Sequence, residues 1–480
     1  MYFFLLSYGK IIDEEEFELA EKKILSSVKK AITLIGEFLF KIMEKICNRL
    51  TAREPKKKKK AQFCVNMWAG IVVLLLMHTA ASTPWGEGVL NEAFDEFIQK
   101  DAKKAVKTIA NTGDIFLVDL DHNKPGKPDE EISYISPRDT IAKIIKMAAL
   151  GKAKIIVLDI LLEKKDYRSP EKDEELQKVL EELSMDKKCQ TKFIFSQRVG
   201  KDGNLKRNLF DPLIDKNPNF YRAIPTLYAT KKDRVVRYWK TYDGYGKTNV
   251  IWSIPVLTLV LNEGRIEDLK KCEKQLAQKE KGIEELVVNL DKRKNKTFVL
   301  PFNNKDLFRQ RIRFSLIPKD CIDGFPAVNL ILPTIKDIEK VDPRRFKEKI
   351  VLIGASDPEK GDIHPTPVGD MPGMYIHGNA IHTLLTGLQP KSAPWWIAIV
   401  LDIIIIIIVP YIFLHLRSWL AKLIGTIVLS TTLALFSYYI LFRYLGMFFS
   451  FAFGTAAMGY FDTFSGIRET ILKREKNEKK

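Results

Sequence analysis

The sequence predicts an α/β domain with a mostly parallel sheet, held outside a membrane by an α-helical region of four spans. Three observations carry that prediction. One apolar segment near the start and three near the end bracket a long polar middle, residues 83–393. Inside that middle, short continuous apolar runs alternate with helix-patterned stretches, as in parallel strands joined by crossover helices. Lysine and arginine gather at the segment ends that a bilayer would keep inside. The chain's 480 residues exceed one ordinary domain, and its 77 Lys and Arg against 60 Asp and Glu give a formal charge of +17.

Residues 1–62 are read as a cytoplasmic segment. From Asp13 to Leu50, Phe17, Ile24, Val28, Ile32, Ile35, Phe38, Ile42, Ile46 and Leu50 recur every three or four positions, which predicts an amphipathic helix. Asp13 stands at its N-cap and Glu14 to Glu16 in its first turn, where the helix dipole favours negative charge. Its lysines suit attachment to anionic membrane lipid, with a helical dimer or a bound partner as alternatives. Lys56 to Lys60 form a basic block just before Phe63–Ser82, "FCVNMWAGIVVLLLMHTAAS", which is long enough to cross a hydrocarbon core of about 30 Å. A cleaved signal peptide is the rival reading, but the segment lies too far from Met1.

Three more spans follow at 394–416, 423–442 and 445–463. Arg417 and Lys422 lie between the second and third, and the tail 464–480 is basic, so the positive-inside rule places both termini inside and 83–393 outside. Asp402 lies near the outer end of its span, where it reaches the interface or marks a function. Ala452, Gly454, Ala456 and Gly459 give the last span a close-packing face.

The external domain begins with a helix ending near Thr112. A strand follows at Ile115 to Leu120, then a helix from after Pro137 to Gly151, and a strand "KIIVLDILL" with Asp159 on its carboxyl side. A helix at about Asp173 to Leu183 leads to the strand "KFIFSQRV". Far downstream, "KIVLIGAS" is a further buried strand, and "HGNAIHTLLTG" is a short helix closed by Gly387. "EDLKKCEKQLAQKEKGIEEL" reads as an exposed helix.

In open parallel sheets ligands gather at the carboxyl ends of the strands. Asp119, Asp121, Asp159 and the loop from Gly354 to Asp362 are therefore predicted to share one edge. His364, Thr366, His377 and Asn379 follow in a turn-rich stretch, "GDIHPTPVGDMPGMYIHGNAIH". The alternative is that Asp362, His364, Thr366 and Asn379 cap turns and a helix. Arg138, after Pro137, either binds an anionic group or pairs with a neighbouring carboxylate.

"DIFLVDLD", "SPRDTIAKII", "AKIIVLDILL" and above all "KEKIVLIGASDPEKGDIHPTPVGDMPGMYIHGNAIHTLLTG" together resemble the type-two CHASE domain, an extracellular sensory family attached to cyclases and histidine kinases. The likeness runs over most of 114–387 in the family's order. Members of that kind usually carry one span before the sensor and three after it, the arrangement read above from hydropathy. The resemblance implies a sensory fold, a periplasmic position and a bacterial inner membrane.

The roughly fifteen residues after the last span are too few for a kinase or cyclase domain, so the expectation is a sensor without its own catalytic output. It would act through its spans, a protein partner or a homo-oligomer, and take a small extracytoplasmic ligand at Asp119, Asp121, Arg138, Asp159, Asp362, His364, Thr366, His377 and Asn379. A structural subunit using the external domain as an assembly surface is the alternative. A metal-dependent hydrolase built on Asp119, Asp121, Asp159, Asp362 and His364 is another, yet the chain has no HExxH, and His377 and His382 are five apart. No nucleophile elbow or phosphate-binding loop appears, and the sequence leaves any cofactor unknown. Nucleic-acid binding is excluded because much of the positive charge sits at membrane boundaries. Five dispersed cysteines show no CxxC pair, leaving at most one bridge among Cys189, Cys272 and Cys321.

Overall fold

The computed structural model describes residues 84–108, 115–120, 138–166, 169–230, 233–246, 249–277, 285–291, 296–301, 309–315, 341–355, 362–387, 389–392, 435–444 and 447–448, with isolated positions in 400–432. Helix α1 (Pro84–Thr108) leads to strand β1 (Ile115–Asp119), and α2 (Arg138–Leu150), β2 (Ile155–Leu158), α3 (Pro170–Met185) and β3 (Lys192–Ser196) follow. Next come α4 (Asp211–Lys216), β4 (Phe220–Ala223), β5 (Leu227–Ala229), β6 (Val236–Lys240), β7 (Tyr242–Tyr245) and β8 (Asn249–Trp252). Helices α5 (Ile254–Asn262) and α6 (Ile266–Ala277) precede β9 (Glu285–Asp291), β10 (Lys296–Pro301), β11 (Arg309–Arg311) and β12 (Ile350–Gly354). The hairpin β13 (Ile363–Thr366) and β14 (Gly369–Pro372), helix α7 (Gly373–Thr386) and the short strands β15 (Lys391–Ser392) and β16 (Met447–Phe448) complete the set.

Five parallel strands form the central sheet in the order β1, β12, β2, β3, β4. The strand from far downstream is inserted between the first two, which is why β12 and β2 are apolar at every position: they are covered on both faces. Alternation along the strands divides their side chains. Leu117, Val157, Ile194 and Leu352 enter one core with α1, α5 and α7, while Val118, Ile156, Phe195 and Ile353 enter a second with α2 and α3. Each fully buried side chain of this kind contributes about 1.5–3 kcal/mol. The predicted strands are all present, and β4 and the antiparallel hairpins are additional.

Three local expectations change. Helix α2 does stop at Leu150, but the left-handed residue that ends it is Lys152, at φ 59°, not Gly151. Ala153 N donates to Ala148 O and Lys152 N to Ala149 O, both at 2.9 Å, the pairing of a Schellman cap. Helix α3 begins three residues earlier than predicted, with Pro170 in its first turn, where a missing N–H is harmless. Helix α6 is not an exposed insertion. Leu269 and Cys272 are buried in the core beneath it, and burial pushes the Cys272 thiol up to about 11. Cys189 and Cys272 are both free thiols, so no bridge joins them, while Cys321 lies outside the described residues.

The segment 13–50, the first predicted span and Asp402 also lie outside the described residues, as does most of the other three spans. Among the described residues no helix is long and apolar enough to cross a membrane. Residues Leu435–Ser450 belong to the same compact unit as Glu87–Ala393. There Ser437–Tyr444 is wound as a π-helix, and Tyr438 and Phe442 set their rings edge-on against Phe97 at 5.6 and 5.7 Å.

Candidate functional site

Strand register assembles the site. Asp119 pairs with Gly354 across β1 and β12, and Asp159 N donates to Ile353 O at 2.8 Å, continuing the ladder one residue past β2. Leu158 is paired with Phe195, so Asp159 and Ser196 are next in line on β2 and β3. Asp119, Gly354, Asp159 and Ser196 therefore form one row at the carboxyl edge, on the face that α7 covers. Gly354 leaves room for that helix: a Cβ there would lie 2.7 Å from the Met374 Cβ.

From α7, His377 reaches this row. Its ring is 2 % exposed, with Nε2 4.0 Å from Asp159 Oδ1 and Nδ1 buried without a hydrogen-bond partner. Ser196 Oγ is likewise buried. It stands beside the Asp159 carboxylate, whose charged form it favours. Burial raises the Asp159 carboxyl above the ordinary carboxylate range, His377 opposes this, and the nearby Asp362 charge adds to it.

Asp362 belongs to a more exposed neighbouring layer. Its carboxylate meets His364 Nε2 at 3.1 Å, and its main-chain oxygen accepts from Gly373 N at 2.9 Å, carrying the β13–β14 pairing up to the start of α7. A Cβ on Gly373 would come within 2.5 Å of Asp362 Oδ2, so a side chain there would displace the carboxylate from this helix start. Negative charge is stabilised there by the helix dipole.

Other predicted residues hold structure. Thr366 Oγ1 donates to Gly369 O and accepts from Val368 N, capping the turn between β13 and β14. Asn379 is fully buried in mid-helix, where Oδ1 accepts from Ser315 N at 2.7 Å and Nδ2 donates to Tyr375 O at 2.8 Å, so it caps no helix start. Arg138 is buried at the start of α2, donating to Asp173 Oδ1 at 3.0 Å and Lys164 O at 3.1 Å, which is the carboxylate pairing. Asp121 lies outside the described residues. The row therefore joins Asp119, Asp159 and His377, with Asp362 and His364 beside it, and leaves Arg138, Thr366 and Asn379 in structural roles. Among the described residues no three His, Cys, Asp or Glu side chains converge closely enough to hold a metal ion.

Sequence reasoning missed Ser196, which only the strand register places beside Asp159, and it missed Arg313. The Arg313 main chain is held on both sides by Thr383 Oγ1 of α7, donor N at 3.0 Å and acceptor O at 3.2 Å. Its guanidinium grips Asp101 of α1 through Nε and Nη2. No spacing in the sequence links positions this far apart.

Replacing Asp159 by Asn tests the electrostatics. A carboxyl raised in the folded state contributes stability that is complete below the unfolded value near 3.9 and is lost as pH rises through the folded value. Asp95 and Glu273 are raised in the same direction, so Asp159→Asn removes only one share of this slope. Thermal unfolding from pH 4 to 8 is expected to show a shallower fall for the variant and a higher Tm at neutral pH. An unchanged slope would mean that Asp159 is ordinarily solvated.

No curated protein and no solved structure matches the chain. The CHASE2 domain family matches residues 69–413, which is most of the sequence. With the five-stranded parallel sheet and its carboxyl-edge row in place, the chain belongs to the CHASE2 family of extracellular sensory domains.

Proposed function

We propose that the protein is a membrane-anchored extracytoplasmic sensor in a bacterial inner membrane, spanning it four times with both termini inside. The carboxyl-edge row takes a small polar ligand beside Asp159, Ser196 and His377. The domain senses and performs no reaction, and its state passes through the spans to a protein partner or a second copy. One observation carries the reading: Arg313 joins the helix that bears His377 to α1, the helix that follows the first predicted span. A change at the row that shifts α7 would thus pull on α1 through Arg313, in addition to the core that the two helices share, a contiguous physical connection.

Two further facts support the anchoring. The family match begins inside the first predicted span and ends inside the second. Strand β15, just before the second span, pairs with β16, which falls at the predicted outer start of the fourth span. Both belong to the compact unit that holds the sheet, as a shared outer side requires.

Labelling intact cells with a membrane-impermeant maleimide tests this, using Lys201→Cys in a cysteine-free background. Lys201 is exposed in the turn that follows β3, on the carboxyl side of the sheet, and is expected to label before the membrane is opened. Labelling only after permeabilisation would defeat the extracytoplasmic reading.

A further inference from the structure

The two edges of the sheet differ in charge. Acidic groups stand at the carboxyl edge, whereas at the amino edge Lys349 and Lys154 immediately precede β12 and β2, and Lys192 opens β3. They are adjacent through the backbone: Lys154 N donates to Lys349 O at 2.9 Å and Lys192 N to Lys154 O at 3.1 Å. The turns leading into these strands add Lys152, Lys187, Lys188 and Lys347, all exposed. None of these seven lysines forms an ion pair among the described residues, although Lys192 Nζ donates to Leu261 O at 3.0 Å; of the acids in the same turns, Asp186 and Glu348 are exposed and Asp342 is taken up by Arg344 at 2.8 Å. Side-by-side like charge on neighbouring strands is unfavourable. Burial, and then the charge of Lys154, lower the Lys192 ammonium below the usual lysine range.

The same edge exposes two large apolar side chains. Leu150 ends α2 at 68 % exposure, and Met185 ends α3 at 75 %, on helices that pack against each other. Neither helix carries a basic residue in its last turn, and Lys152, Lys187 and Lys188 follow directly on the two helix ends, where the negative dipole ends favour them. Cations surrounding protruding apolar groups are the chemistry of a surface that meets anionic lipid, where the headgroups take the charge and the interface takes the apolar tips.

The chain leaves this edge for the second predicted span. Helix α7 starts at the carboxyl edge, where Met374 packs on Gly354, and it is buried along nearly its whole length against the core. Its fourteen residues, about 21 Å, carry Gly387 to the amino edge. Pro394, where the second predicted span opens, is seven residues further on, about 25 Å of chain at most.

We propose that the amino edge of the sheet docks on the anionic headgroups of the membrane that anchors the chain, with Leu150 and Met185 entering the interface. The inference rests on the anchoring reading above and is independent of what the carboxyl edge binds. Docking would fix the sheet against the bilayer and leave the carboxyl edge facing away from it, open to a ligand.

The test places the full chain in lipid nanodiscs of phosphatidylcholine alone or with phosphatidylglycerol added. Hydrogen exchange is then followed at the turn amides of 150–154, 186–191 and 347–349. Exchange is expected to slow about tenfold or more in the anionic discs and to recover in high salt. The protection should vanish in a variant carrying Lys152→Gln, Lys187→Gln, Lys188→Gln and Lys347→Gln whose Tm is unchanged. Equal exchange in both lipids, or protection that survives in the variant, would overturn the docking while leaving the anchoring intact. A chain that fails to enter the discs would overturn the anchoring and the docking together.

Discussion

Arg237→Met is expected to destabilise the external domain by about 3–5 kcal/mol, because it leaves a partly buried carboxylate without its partner. Arg237 is 2 % exposed and grips Asp95 of α1 through Nε at 2.8 Å and Nη2 at 2.6 Å, while Nη2 also meets Asp233 at 2.7 Å and Nη1 donates to Thr230. Burial already raises the Asp95 carboxyl despite Arg237. Without the guanidinium, Asp95 must take a proton or draw in water, and α1 loses a clamp to β6, 142 residues away in sequence. Urea unfolding measures the loss. The double variant Arg237→Met with Asp95→Leu should recover part of it, since removing both charges costs less than stranding one. A single variant within about 0.5 kcal/mol of the parent chain would show that the pair is solvated and structurally idle.

The second large effect belongs to Gly151. A Cβ at this position would lie 2.0 Å from the Pro343 carbonyl oxygen and 3.1 Å from the Phe346 Cβ, so Gly151→Ala must push α2 off the 3-10 turn Pro343–Phe346. Overpacking of this kind costs about 3 kcal/mol, the upper end of its usual range, because backbone and not a mobile side chain must yield. The neighbouring substitution has the opposite sign. Lys152 holds φ 59°, a left-handed conformation costing a residue with a Cβ about 1 kcal/mol, so Lys152→Gly should raise stability by up to that amount. Thermal melts of the two variants separate the roles: the glycine at 151 serves close approach, and the lysine at 152 occupies a position where glycine is the more stable choice. The docking surface gives a reason for a lysine there.

Much of this organisation was legible before the structure. Continuous apolar strands such as "IVLIG" and "IIVL" could only be covered on both faces, and Asp119 and Asp159 at the ends of such strands had to share an edge once the strands were parallel. Gly387 closes α7 in the left-handed conformation, at φ 64°, as its position after the last apolar residue implied. What could not be read is whatever depends on side chains meeting across long stretches of sequence. Asn379 and Thr366 have the residue types of ligands, yet burial and local backbone partners absorb them. Ser196 looks like the polar end of a strand until the register sets it beside Asp159. The Gly151 reading failed for a related reason: a glycine after a helix suggests a cap, and only the approach of Pro343 shows that space, not φ, selects it.

The relay from the carboxyl edge through Arg313 to α1 is tested most directly by hydrogen exchange of α1 in the full-length protein in lipid nanodiscs. Asp159→Asn, Thr383→Val and the two combined are compared with the parent chain. The account predicts that Asp159→Asn changes exchange in both α7 and in α1 around Phe94 to Asp101. Adding Thr383→Val, which removes the hydroxyl that holds Arg313, should keep the α7 response and abolish the one in α1. An α1 that exchanges identically in the parent and in Asp159→Asn, while α7 responds, would contradict the relay.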